Sequence, residues 1–411
     1  MQLAICKTKP FSKLYSALVA LLPIFASYAS GIPGFSMADG ILIICCLISI
    51  LSGNKIKRNK FIVRPTLIAV ALYLIVFFDL LTVVFQQRPE ITNIFIRTIR
   101  YFFYLFVVAA CSIKYFDLTV GQQYVKCICF FATCYIIIQY LTYSVFSLIL
   151  PGYLPFIDLY VDYSSTDYAA LYAVMFRPTS FFLEPAHYAR YMLIGVVFCL
   201  FYGENVVKKQ ILLAVFISIG ILISTSAQGY VLLAMEWLLF LLFRIKNIKS
   251  RKLRMTIYTI VALLPLMLMG IMQFSFVQKT LFRALNIDVS NLANENTAFG
   301  ARLGGFLYYL ELDPIYQFIG KGFGVVPEKG WLSSAAYWLY GSGIIVFVLY
   351  LFYAVKVLTR STGSSRIIAL LFLILFFTDD SFYSYMCVLF ISISCIQPVR
   401  SEKIEVPVYC N

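Results

Sequence analysis

Charge is scarce in this chain of 411 residues: Asp, Glu, Lys and Arg together make up 13% of it, about half the share usual in a soluble domain. That excludes an ordinary water-soluble globular protein. There is a single His, which argues against a His-ligated metal cluster. The 11 Cys lie almost entirely within apolar runs (Cys45, Cys46, Cys111 and Cys129 among them) and none lies in the long polar loops. There a thiol acts as a small hydrophobe, so neither a disulfide framework nor a structural zinc site is expected. Internal repeats, a basic tail and an RNA-binding motif are also missing, so the net charge of +14 needs no nucleic-acid partner.

What the sequence has in abundance is apolar length: 62% of residues are hydrophobic and mean hydropathy is +0.88. The runs lie near 14–31, 35–52, 63–85, 93–112, 124–150, 188–203, 210–225, 229–243, 255–274, 333–357, 367–378 and 382–396. They are continuous, without the period-two alternation of a lipid-facing strand, so helices are expected and not a barrel. The expected fold is all-α, a single polytopic membrane domain over 1–411 with about 12 transmembrane helices, each needing about 20 residues. The segment Thr378-Asp379-Asp380-Ser381 divides the last apolar stretch into two short halves; a hairpin is the reading, a single span its rival. The N-terminal run is read as an uncleaved first span, not as a signal peptide.

Basic residues fall mostly on alternate loops: Lys7 to Lys13, 55–64, Lys114 with Lys126, Lys208 with Lys209, 244–254, 356–366 and Arg400 with Lys403. By the positive-inside rule both termini are expected on the cytoplasmic side. The opposite side has short connections and two long loops, 151–187 and 275–332. Loops of that length usually serve a function, and their apolar and aromatic content predicts short helices packed over the membrane domain.

The first long loop ends in Arg177-Pro178-Thr179-Ser180-Phe181-Phe182-Leu183-Glu184-Pro185-Ala186-His187-Tyr188-Ala189-Arg190. Pro185 suits a first helical turn, which puts Glu184 near the cap and His187 and Arg190 about one turn on, at the membrane surface. The plain reading is a capped helix with interfacial Arg anchors; the other is a site. In the second loop, Arg302 precedes Gly320-Lys321-Gly322-Phe323-Gly324. These glycines lack the strand and the Lys-Ser/Thr ending of a phosphate loop, and are read as permitting a tight turn or close backbone approach.

Arg97 and Arg100 share one face of the fourth span. An Arg near the bilayer centre costs about 2.5–3.5 kcal/mol, so such residues face a partner or a wet cavity. Snorkelling to headgroups and pairing with Asp79 are the structural alternatives. Glu236 in the eighth span is read as a structural hydrogen bond, with a proton relay as its alternative. An external site with several Arg beside lipid headgroups fits a diphosphate lipid, because guanidinium forks match phosphate in charge and geometry. An anionic-solute transporter fits much of the same pattern.

With its span count, paired external loops, the Arg177 to Pro185 run, and Arg302 followed by Asp313-Pro314 and Gly320 to Gly324, the chain resembles the O-antigen polymerase (Wzy) family within the bacterial O-antigen ligase and polymerase group. Ligases carry a His before the helix that follows the glycines, where this chain has Trp331-Leu332-Ser333-Ser334, which favours polymerase. The resemblance implies a GT-C-like, metal-independent glycosyltransferase of the inner membrane with no cofactor. It would move a growing glycan from undecaprenyl diphosphate onto an incoming lipid-linked repeat unit at the periplasmic face. It further implies diphosphate binding by Arg177 and Arg302, with Arg283, Arg97 and Arg100 as secondary candidates, and Glu184 or His187 as the base, Glu184 being preferred. Arg190, Tyr168 and Trp331 are candidate substrate contacts, and Tyr163 and Tyr337 candidate stacking surfaces; an interfacial aromatic belt is the plainer reading for each aromatic. A chain-length regulator is a possible partner. A flippase or other secondary transporter, and a partner-docking subunit, are the rivals from other classes.

Overall fold

The computed structural model describes residues 10–32, 35–51, 60–61, 66–86, 91–154, 156–159, 176–203, 207–243, parts of 251–259, 300–327, 332–380 and 384–397. Within them the chain is helical apart from two-residue strands, β1 (Lys60–Phe61) and β2 (Ile396–Gln397), which pair antiparallel. The helices are α1 (Pro10–Phe25), α2 (Met37–Leu51), α3 (Thr66–Gln86), α4 (Ile91–Phe106), α5 (Leu118–Phe146), α6 (Pro185–Phe201), α7 (Lys208–Ile223) and α8 (Ala227–Phe243). They continue as α9 (Gly300–Leu310), α10 (Pro314–Ile319), α11 (Ser334–Arg360), α12 (Gly363–Thr378) and α13 (Met386–Cys395). Every apolar run of the sequence holds helical residues; of 255–274 only residues within 255–259 are described, and these are helical.

Ile94–Tyr115, Leu118–Phe146 and Ser334–Arg360 are long and apolar enough to cross a membrane, and several shorter helices are equally apolar. The outward faces of the bundle carry Phe130, Phe131, Ile138, Val231 and Leu238, an apolar exterior that suits lipid and not water. At the centre stands α6, whose residues from Tyr188 to Phe201 are all buried, packed by α5, α7, α8 and α12. A helix hydrophobic on every side belongs in such a position.

Helix ends follow local chemistry. Asp117 accepts from Thr119 N (2.8 Å) and Val120 N (3.2 Å) to start α5, and Ser147 in the left-handed region ends it. Ser36 and Asp39 cap α2 reciprocally: Asp39 Oδ2 accepts from Ser36 N (2.9 Å) and Ser36 Oγ accepts from Asp39 N (3.3 Å), which satisfies two amides at once. The last two helices are separate and antiparallel, with Phe372 stacked on Phe390 and Ser365 Oγ donating to Ile393 O, so the hairpin holds and the single span does not. The second long loop does contain short helices, α9 and α10, packed on α11.

The connections gather at two ends. At one, Ser12 bonds to Tyr115 O and Ser361 to Ser394 O. At the other, Ala29 N donates to Asp158 O, Ser36 meets Tyr385, Ser334 N donates to Asp379 O and Arg97 reaches Gly324 O.

Glycines seat the second long loop on α11. Lys321 N and Gly322 N donate to Tyr340 O (2.8 Å) and Gly341 O (2.9 Å), and α11 bends at Gly343, where φ is 74°. A Cβ at Gly343 would strike the Phe318 carbonyl, whereas one at Gly31, also at positive φ, meets nothing within 4 Å. Gly343→Ala therefore pays both a left-handed backbone and a steric clash, on the order of 3 kcal/mol in all. Thermal unfolding in detergent should show a clear drop for Gly343→Ala and a small one for Gly31→Ala; equal drops would contradict the backbone contact.

Candidate active site

The segment from Phe176 to Glu184 is held on α5. Phe176 stacks on Tyr143 at 4.0 Å, Gln139 Oε1 accepts from Ser180 N (2.8 Å), and Gln139 Nε2 donates to Pro151 O (2.9 Å). Ser180 and Leu183 both adopt positive φ (55° and 51°), costly for residues with a Cβ and characteristic of functional loops. Glu184 then caps α6 in extended conformation with Pro185 at the first helical position, and its side chain makes no capping bond.

Freed from capping, the Glu184 carboxylate lies 3.7 Å from His187 Nε2, each side chain 31% exposed. One turn deeper, Arg190 is buried, and its Nη1 meets Asp380 Oδ1 at 2.6 Å and Asp379 Oδ1 at 3.0 Å. The Thr378-Asp379-Asp380 turn ties four helices together. Asp379 O accepts from Ser334 N and Ser334 Oγ at the start of α11, and the adjacent Thr378 accepts from Gln228 of α8 at 2.9 Å. Burial raises the Asp380 carboxyl, but the Arg190 guanidinium and then His187 draw it down, so it stays below the usual carboxylate range.

Arg177 is half-buried, its guanidinium facing Thr225 Oγ1 (3.4 Å) and Thr225 O (3.5 Å) in the turn before α8. Through that turn and Gln228 it adjoins the Arg190 cluster. Glu184, His187 and Arg190 are therefore brought together at the start of α6, Asp379 and Asp380 join them unforeseen, and Arg177 stands at the neighbouring turn before α8. Arg190, expected as a substrate contact, is buried with its Nη1 paired to Asp379 and Asp380.

Arg97 and Arg100 stand apart in a neighbouring group. Arg97 Nη1 donates to Gly324 O (2.9 Å), and Tyr337, expected as a stacking surface, is buried and bonded to Arg97. Arg100 lies 3.7 Å from Asp39. Asp79 is bonded elsewhere, to Thr98 Oγ1 and Phe323 N, both at 2.7 Å. The amides of Lys321, Gly322, Phe323 and Val325 all donate to protein acceptors, so the glycine loop is a structural seat and not an anion cradle. The Arg302 backbone lies in α9; its side chain, and Arg283, Tyr168, Tyr163 and Trp331, lie outside the described residues.

Glu236 is fully buried and neither carboxylate oxygen has a hydrogen-bond partner, which corrects the structural hydrogen bond expected of it. An apolar cleft lined by Leu105, Tyr350, Val357, Phe372 and Ile391 lies between helices, away from the charged end. Among the described residues no group of three or more His, Cys, Asp and Glu is placed to hold a metal ion. A partly exposed carboxylate and imidazole side by side can accept and donate protons, and a guanidinium such as that of Arg177 can take an anionic leaving group. No family model matches this chain, and no curated protein matches it.

Proposed function

We propose that the chain is a surface-polysaccharide polymerase of the bacterial inner membrane, a metal-independent glycosyltransferase with GT-C-like architecture and cytoplasmic termini. Its substrates are oligosaccharide repeat units on undecaprenyl diphosphate, taken from the surrounding lipid, and a chain-length regulator is a fitting partner. The observation that carries the reading is the Glu184–His187 pair at the start of α6, with Arg177 held against the adjacent turn before α8. In this scheme Arg177 and Arg302 stabilise the charge that develops on diphosphate as the anomeric bond breaks. Glu184 takes the proton of the acceptor hydroxyl, and the His187 imidazole donates an N–H hydrogen bond to the departing phosphate.

A secondary transporter is the second reading, favoured by Glu236, since an unpartnered acid inside a bundle is a feature of proton-coupled carriers. Deletion of the gene, with a gel of surface lipopolysaccharide, separates the two. Core bearing a single repeat unit, restored to a ladder by the wild-type chain, is the polymerase result. Bare core would point to a flippase or ligase, and an unchanged ladder would remove the pathway altogether.

A further inference from the structure

The cleft between α4, α11, α12 and α13 is walled by apolar side chains, among them Tyr353, Ala354 and Val357 from α11 and Ala369, Phe372 and Leu373 from α12. Among the described residues no charged side chain lines it. The Tyr350 and Ser394 hydroxyls in its wall are taken by protein partners: Tyr350 Oη meets Tyr101 Oη at 3.1 Å, and Ser394 Oγ donates to Phe390 O at 2.6 Å. The cleft thus offers hydrocarbon and little that a polar ligand could bond. Both walls then turn basic. Arg360 follows Val357 by three positions and Arg366 precedes Ala369 by three, so each stands one turn beyond the cleft on the same side of its helix. Both arginines are exposed. Arg366 is fixed at the turn between α11 and α12, its Nε donating to Ser361 O (2.8 Å) and its Nη2 to Thr359 O (3.2 Å), and a guanidinium has further N–H donors beyond these. The pairing of β1 with β2 brings the backbone of Lys60 to the same end.

We propose that this cleft and the basic turn at its end form a binding site for an anionic phospholipid of the bilayer, with an acyl chain in the cleft and the headgroup phosphate held by Arg360 and Arg366. An acyl chain covers the apolar walls, and a phosphate at the turn meets two guanidiniums that match it in charge and in fork geometry. An anionic bilayer lipid joins both features in one molecule, and basic clusters at a membrane face attract such lipids. Membrane orientation alone accounts for basic residues at this end, but not for their place one turn beyond an apolar cleft. The site lies at the end of α11 away from Ser334 and Asp379, apart from Glu184 and His187, and does not depend on the polymerase reading.

The full-length chain, purified in non-ionic detergent and stripped of lipid, is titrated with phosphatidylglycerol or with phosphatidylcholine of the same acyl chains, and bound lipid is read by native mass spectrometry. Phosphatidylglycerol should bind about tenfold more tightly. Arg360→Gln with Arg366→Gln should remove most of that preference, and Arg360→Gln alone, which leaves the Ser361 and Thr359 contacts of Arg366 in place, should already weaken it. Ala354→Phe, which fills the cleft from a half-buried position, should weaken phosphatidylglycerol binding with both arginines present. Lys208→Gln with Lys209→Gln, exposed at the start of α7, should change nothing. Unaltered preference in the arginine variants, or an equal loss in the lysine variant, overturns the proposal. Unaltered binding in Ala354→Phe overturns the placement of the acyl chain, and tighter binding of a polyprenyl phosphate than of phosphatidylglycerol overturns the choice of occupant.

Discussion

Arg177→Ala and Arg302→Ala should each abolish chain extension, by about a hundredfold or more, while leaving the full-length chain inserted at normal levels. In the proposed reaction the leaving diphosphate gathers negative charge at two phosphates, which a guanidinium fork would meet with two directed donors. Arg177 is half-buried on a loop pinned to α5 through Gln139, so its position is fixed before substrate arrives. The same reasoning makes Arg177→Lys impaired as well, since an ammonium keeps the charge and loses the fork. Complementation of a deletion strain, read as ladder length against membrane-fraction protein, checks all three; normal ladders with both alanine variants would defeat the site assignment.

Arg190→Ala strikes the fold more than the chemistry. It leaves Asp379, 4% exposed, and Asp380, 28% exposed, without the guanidinium that both contact. Removing one partner of a buried ion cluster costs about 3–5 kcal/mol, because the remaining charge stays desolvated. Thermal unfolding in detergent should show this as a large drop in midpoint, with much of it recovered when Asp379→Asn and Asp380→Asn are added. An unchanged midpoint in Arg190→Ala would show that the cluster does not hold α6 to α12.

Much of this arrangement is legible in the sequence. Apolar runs of span length locate the helices, Pro185 after Glu184 marks the start of α6, and Thr378 to Ser381 marks the break in the final hairpin. These are local signals, set by burial and by backbone chemistry within a few residues. What the sequence hides is what depends on contacts far along the chain. Asp379 and Asp380 read as a turn, and nothing near them in sequence names Arg190 as their partner. The bend at Gly343 sits inside an apolar run that looks continuous, because its cause is the Phe318 carbonyl packed against it. The π-helical segment Val107–Ser112 likewise carries no local mark. Tyr337 illustrates the converse: an aromatic near a loop end looks like a sugar platform, yet it is buried against Arg97.

The central claim, glycan transfer between diphosphate lipids at the end that holds Arg177, Glu184 and His187, is tested most directly by reconstitution. The purified full-length chain in lipid vesicles is supplied with polyprenyl-diphosphate-linked repeat units and no other protein. The expected result is a ladder of lengthened lipid-linked glycan with release of free polyprenyl diphosphate, absent with Arg177→Ala. Repeat units that stay single, or that only change leaflet, would contradict it.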